Sequence, residues 1–193
     1  MNFLAHIYLS PDDEEIILGN FIADAVKGNA IMNFPEKVRK GILLHRMIDE
    51  FTDHHPVFIK SRERLLEHYH KFSAVIVDIF YDHFLSANWK VYSNEDIHFF
   101  SEKSYGILMK NYEILPSRYR RILPYMIQQN WLVSYSNLDA LRRVFEGMSR
   151  RTKFKSGMEN AVDDLVANYD AFGLEFKEFF PELKSYTETA IVK

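Results

Sequence analysis

The sequence predicts an all-α protein, a compact bundle of about seven to nine helices. Three observations predict it. Seven Gly and six Pro in 193 residues leave little turn punctuation. Apolar runs such as 75–81 are rich in Ile, Val, Phe and Tyr but lack flanking turn signals, which favours buried helix over strand. Asp and His recur at four-residue spacing inside apolar segments, one helical turn apart.

The elements follow in order. Ser10-Pro11-Asp12-Asp13 predicts a helix start, with Ser10 as cap, Pro11 at the first helical position and acids at the positive end of the dipole. That helix is expected to run through Asp24 and stop near Gly28-Asn29. Pro35 opens a second, carrying His45, Asp49 and Asp53. It ends before Pro56, because a residue preceding proline is pushed out of the α region. A third helix is expected over 57–70, and a fourth from Ser73 to Trp89 carries Asp78, Asp82 and His83. Ser93 starts a fifth that ends near Pro116, and Pro124 marks a break or kink inside the apolar stretch 117–135. Asn137 opens a helix to about 150. A last amphipathic helix is expected over 156–180, interrupted at Gly173 and followed by Pro181.

Composition narrows the class. Apolar content of 47% and aromatic content of 15% indicate a globular chain, here one domain over 1–193 with a full core. The absence of Cys excludes a disulfide framework and thiolate chemistry, and suits the cytoplasm. No apolar run approaches the roughly 20 residues that span a bilayer. The apolar N-terminus lacks a basic region, so no signal peptide is expected. No G-x-G-x-x-G or Walker motif is present. The net charge of −3 hides an asymmetry: residues 118–155 hold nine Lys/Arg against Asp139 and Glu146. Such a segment draws in an acidic partner or is a solvated basic face.

The chemistry concentrates in the polar residues of apolar segments. His45, Asp49 and Asp53 form one row, Asp78 and Asp82 another, and Asp24 and His6 sit in apolar contexts of their own. Taken singly, each is more often structural: a core histidine is usually hydrogen-bonded, and a buried Asp usually meets an Arg or a helix N-terminus. Taken together, five acids face one obvious buried cation, Arg46. A divalent metal removes the cost of uncompensated carboxylates in low dielectric. Imidazole and carboxylate ligands suit Mn2+, Fe2+, Mg2+ or Zn2+. The adjacent pair Asp82-His83 points to metal-dependent phosphohydrolases of the HD type, with the usual His-then-Asp order reversed.

Several blocks in register carry a resemblance to a known family. They are Met1-Asn-Phe-Leu-Ala-His6, Gly19-Asn20-Phe-Ile-Ala-Asp24-Ala-Val-Lys-Gly28, Gly41-Ile-Leu-Leu-His45-Arg46-Met-Ile-Asp49-Glu-Phe-Thr52-Asp53 and Asp78-Ile-Phe-Tyr-Asp82-His83-Phe-Leu85. Trp89, the Trp131–Tyr135 stretch and Gly147-Met-Ser-Arg150-Arg151 extend them. On these residues the chain resembles the acyl carrier protein phosphodiesterases. The resemblance implies an HD-related helical fold and hydrolysis of the phosphodiester joining 4′-phosphopantetheine to a carrier-protein serine. It implies Mn2+ as cofactor, with Mg2+ or Fe2+ as alternatives, and ligands drawn from His6, Asp24, His45, Asp49, Asp78 and Asp82. Asp24, Asp82 and His45 are the expected core. His83 is a ligand, a general acid for the serine leaving group, or a contact behind the ligands. Arg46 contacts a phosphate oxygen or pairs with Asp49 or Asp53. Arg118, Arg120, Arg121, Arg142, Arg143, Arg150 and Arg151, with Lys153 and Lys155, are the expected docking field for the carrier protein, which is small, acidic and helical.

Other readings of the same residues are an HD-related enzyme acting on a nucleotide or small phosphodiester, and a non-catalytic helical interaction protein that binds no metal. Nucleic acid and membrane are not expected partners: the pI is near 6.2, and the aromatics around the basic segment read as core. Oligomeric state is not legible.

Overall fold

A computed structural model describes residues 1–191. Among the described residues there are twelve α-helices, eight of them nine residues or longer, and no strand. The predicted class holds; the total is somewhat above the expected number because four short helices lacked a periodic signal. The long ones are α2 (Glu14–Ile22), α3 (Glu36–His54), α4 (Pro56–Tyr69), α5 (Ser73–Ala87), α7 (Ile97–Lys110), α8 (Ser117–Gln128), α10 (Leu138–Ser149) and α12 (Tyr169–Ile191). The short ones are α1 (Phe3–Tyr8), α6 (Trp89–Tyr92), α9 (Trp131–Ser134) and α11 (Ala161–Ala167). No described helix is long and apolar enough to cross a membrane.

Several boundaries move, each for a local reason. Asp13, not Ser10, caps α2, accepting from the amides of Glu15 and Ile16. Ser10 instead closes α1, its hydroxyl donating to the His6 carbonyl. The first predicted helix therefore resolves into α2 and two 3-10 turns, Ala23–Ala25 and Gly28–Asn33, and α1 precedes it unpredicted. Asp96 displaces Ser93 as the cap of α7. The break before Pro56 is where expected, with the His55 ring accepting from the Val57 amide. Pro124 lies inside α8 without ending it. The last helix breaks at Asn168, not Gly173, and α12 continues through both Gly173 and Pro181. A mid-helix proline costs about 3 kcal/mol. Here burial of Phe176, Phe179, Phe180 and Leu183 on the same helix opposes that cost.

The core is aromatic. Tyr81 of α5 lies against Phe58 of α4 and against Phe176 and Phe179 of α12. A polar cluster runs through this layer: Arg64 holds Glu175 with two hydrogen bonds, and Ser61 donates to the same carboxylate.

One contact decides where the functional side chains stand. Helices α2 and α3 cross with Gly19 against Gly41. A Cβ on Gly19 would lie 2.0 Å from the Val38 carbonyl oxygen, and one on Gly41 would lie 2.1 Å from that of Ile16. Only two glycines allow backbones this close. The crossing brings Asn20, one residue after Gly19, against His45, one turn after Gly41.

Candidate metal centre

Six of the expected side chains line one cavity of about 220 Å³: His6, Asp24, His45, Asp49, Asp53 and Asp78, together with Asn20, Thr52 and an apolar wall of Met1, Phe3, Phe21 and Val75. Helix α1 supplies His6, the turn after α2 supplies Asp24, α3 supplies His45, Asp49 and Asp53, and α5 supplies Asp78. The two imidazoles stack, 3.9 Å between centroids and 14° between planes. His45 Nε2 lies 3.2 Å from Asp49 and 3.3 Å from Asp24. His6 Nε2 lies 3.3 Å from the other Asp49 oxygen, yet makes no hydrogen bond although it is fully buried. Donor atoms of His6, His45 and Asp49 all fall within 4.8 Å of one another.

The charges are uneven. Burial, and then the neighbouring His45, push His6 down to about 4. Burial also opposes charge on His45, but its bonds to Asp24 and Asp49 outweigh it and raise it to about 9. Asp24 is lowered, first by its bond to His45. Burial raises Asp49, but the two imidazoles beside it dominate and hold it well below the usual carboxylate range. Asp78, raised by burial, accepts from the Met1 amino group at 2.6 Å. Among the described residues no Lys or Arg side chain lines the cavity, while four carboxylates do.

This donor set fits a divalent cation. Two Nε2 atoms and the carboxylates converge, and the buried His6 Nε2, although 3.3 Å from Asp49, makes no hydrogen bond among the described residues. A metal ligand is one of the few roles that account for such an orphaned nitrogen.

Comparison with known proteins agrees along the whole length. The profile of a family described as acyl carrier protein phosphodiesterase matches residues 1–183. A protein of Photorhabdus laumondii named acyl carrier protein phosphodiesterase is 31% identical over 189 residues, covering 97% of this chain and 96% of its own. One of the same name from Escherichia coli is 33% identical over 188 residues, covering 95% of each.

The chain belongs to the acyl carrier protein phosphodiesterase family.

No solved structure shows a significant match, so within the family the site is read from this chain's own geometry. That geometry moves three expected residues away from this cluster. Asp82, expected among the core ligands, does not line the cavity. It is fully buried, and its oxygens accept from the amides of Asn2, Leu4 and Ala5, which makes it the cap of α1 supplied from α5. Burial raises its carboxyl to about 7, against the pull of the Met1 ammonium and these amides. His83 turns away as well. Its ring nitrogens face the Tyr135 carbonyl at 2.8 Å and the Tyr169 hydroxyl at 2.9 Å. Asp82 is held by the α1 amides and His83 by Tyr135 and Tyr169, so the reversed pair does not converge on this cavity. Arg46 is exposed, lies outside the cavity and donates to the Val26 carbonyl, pairing with neither Asp49 nor Asp53.

The basic segment divides. Helix α10 packs through Phe145 on Phe80 of α5, the side of that helix turned away from Asp78. Its Arg142 pairs with Asp163 and its Arg150 with Glu146. Helix α8 is different: Tyr119 packs on Phe3 and Phe21 of the cavity wall, and Arg118 stands 6.0 Å from the Tyr119 ring. Asn20 was not expected at the site. An amide behind the ligands carries no charge pattern, and only its place beside Gly19 hinted at it.

Proposed function

We propose that this chain is a metal-dependent phosphodiesterase that releases 4′-phosphopantetheine from holo-acyl carrier protein, leaving the apo-protein. The observation that carries the reading is the convergence of His6, His45 and Asp49, with a buried His6 Nε2 that makes no hydrogen bond among the described residues, in a member of this family. His6, His45, Asp49 and Asp24 would hold the ion; the family resemblance favours Mn2+, and the mixed imidazole and carboxylate set also admits Mg2+ or Fe2+. When bound, the ion supplies positive charge against the phosphoryl oxygens and makes water more acidic.

The chain's own residues do the rest. Four carboxylates repel a phosphodiester anion, so the cation must offset them before substrate enters. Asp53 and Asp78 line the cavity beyond the histidines, where either can accept a proton from water. The apolar wall of Phe3, Phe21 and Val75 excludes bulk water and suits the uncharged part of a pantetheine arm.

Docking is placed on the face beside Asp24. Lys27, Arg46, Arg118 and Arg121 are exposed there or on the adjoining α8, and none is in an ion pair among the described residues. An acidic carrier protein meets this field, while the α10 arginines serve as solvated surface. The decisive experiment is incubation with holo-acyl carrier protein with and without Mn2+, read by intact mass. Loss of the prosthetic-group mass only with metal is expected. An unchanged carrier protein in the presence of metal refutes the reading.

A further inference from the structure

We propose that Asn20 is a positioning residue that sets the tautomer of both site histidines and so presents their lone pairs to the metal; this rests on the metal-centre reading above. Asn20 is fully buried on α2. Its Nδ2 donates to the His6 carbonyl at 2.8 Å and to Ser10 Oγ at 2.9 Å. A carbonyl only accepts, so the amide has one orientation, with Oδ1 turned to the rings. Oδ1 lies 2.9 Å from His6 Nδ1 and 3.1 Å from His45 Nδ1, and the Asn20 backbone oxygen lies 2.8 Å from His45 Nδ1. All three contacts are acceptors without a proton. Both Nδ1 atoms therefore carry hydrogen; the neutral His6 ring holds its lone pair on Nε2, and His45 offers one there once it gives up its Nε2 proton to a bound cation.

The alternative tautomer explains why this matters. With hydrogen on Nε2, His6 would donate to Asp49, and the cluster would satisfy its own carboxylates with protons. Asn20 occupies the Nδ1 protons of both rings at once, and the parallel stack aims both Nε2 atoms at Asp49. One amide thus serves two ligands from two different helices.

The test uses full-length protein with 15N-labelled histidine. Long-range 1H–15N spectra of the metal-free form at neutral pH, with His6 assigned through His6→Gln, report which nitrogen bears the proton. Hydrogen on Nδ1 of His6 is expected in the wild type. In Asn20→Leu it should move to Nε2, and Mn2+ affinity, read from the free-ion EPR signal, should fall about 10–100-fold. A wild-type His6 protonated on Nε2 overturns the proposal, and that measurement stands even where Asn20→Leu does not fold. A folded Asn20→Leu with unchanged tautomer and Mn2+ affinity within twofold overturns it too. A wild type with the expected tautomer that binds no Mn2+ refutes the metal centre itself, and with it the role in metal capture.

Discussion

Gly41→Ala separates two physical effects of opposite sign. Glycine inside a helix is about 1 kcal/mol less favourable than alanine, so propensity alone predicts a stabilised α3. The added Cβ, however, would stand 2.1 Å from Ile16 O, 2.8 Å from the Asn20 amide nitrogen and 2.9 Å from Gly19 Cα. All three are backbone atoms and cannot rotate aside. Restoring ordinary contact requires α2 and α3 to part by about 1 Å, and overpacking of this kind costs about 1–3 kcal/mol or more. The net expectation is a loss of about 2 kcal/mol, or about 4–8 °C in Tm for a chain of this size. The same displacement lengthens the bond of 2.8 Å from His45 Nδ1 to Asn20 O beyond hydrogen-bonding range. Urea denaturation and Mn2+ titration of one preparation read both consequences. A Gly41→Ala protein at least as stable as wild type, with unchanged Mn2+ affinity, would refute the argument that this crossing builds the site.

Other expectations follow from the same geometry. Asp49→Asn should lose Mn2+ binding by titration while retaining its helical circular dichroism, because Asp49 faces both Nε2 atoms; full binding would remove it from the ligands. Asp82→Asn should lower stability by about 1–2 kcal/mol through loss of an α1 cap yet still bind Mn2+; a folded variant that binds none would return Asp82 to the ligand set. Glu175 is raised by burial, but its bonds to Arg64 and Ser61 outweigh this and lower it from 4.5. A depressed carboxylate contributes stability that is full above its unfolded pKa and lost as pH falls through the folded value. Glu175→Gln should therefore cost about 3 kcal/mol at pH 7, and the gap should narrow as pH falls below 4.5 and through the lower folded value; a gap independent of pH would refute that ion pair as its source. Raising salt from low to physiological levels should raise KM for the carrier protein, and Arg118→Ala should weaken that dependence; a KM flat in salt would remove the docking role.

The row His45, Asp49, Asp53 was legible because one residue per turn on a buried face is a periodic signal. Asp24 and His6 were legible because polar residues in apolar runs call for a partner. Asp82 fits the same pattern, but a buried carboxylate has two solutions: a cation, or the free amides of a helix start. Nothing local distinguishes them, because the helix it caps lies about 80 residues away and is six residues long. The reversed Asp82-His83 pair misled for the same reason. Asn20 was missed because its role depends on a helix crossing, which a linear pattern does not display. The glycines that make the crossing stood in the sequence, but as family marks and not as a measure of distance.

The Asp82 contact also orders the events by which the site comes into being. A six-residue segment such as α1 does not hold a helix in isolation. It is fixed only when a carboxylate from α5 reaches its amides. A growing chain that has emerged only through α4 already contains His6, Asp24, His45 and Asp49, and still cannot present them together. The residues of α1 are thus set in place only once α5 has joined, so the meeting of His6 with His45 and Asp49 comes late in assembly.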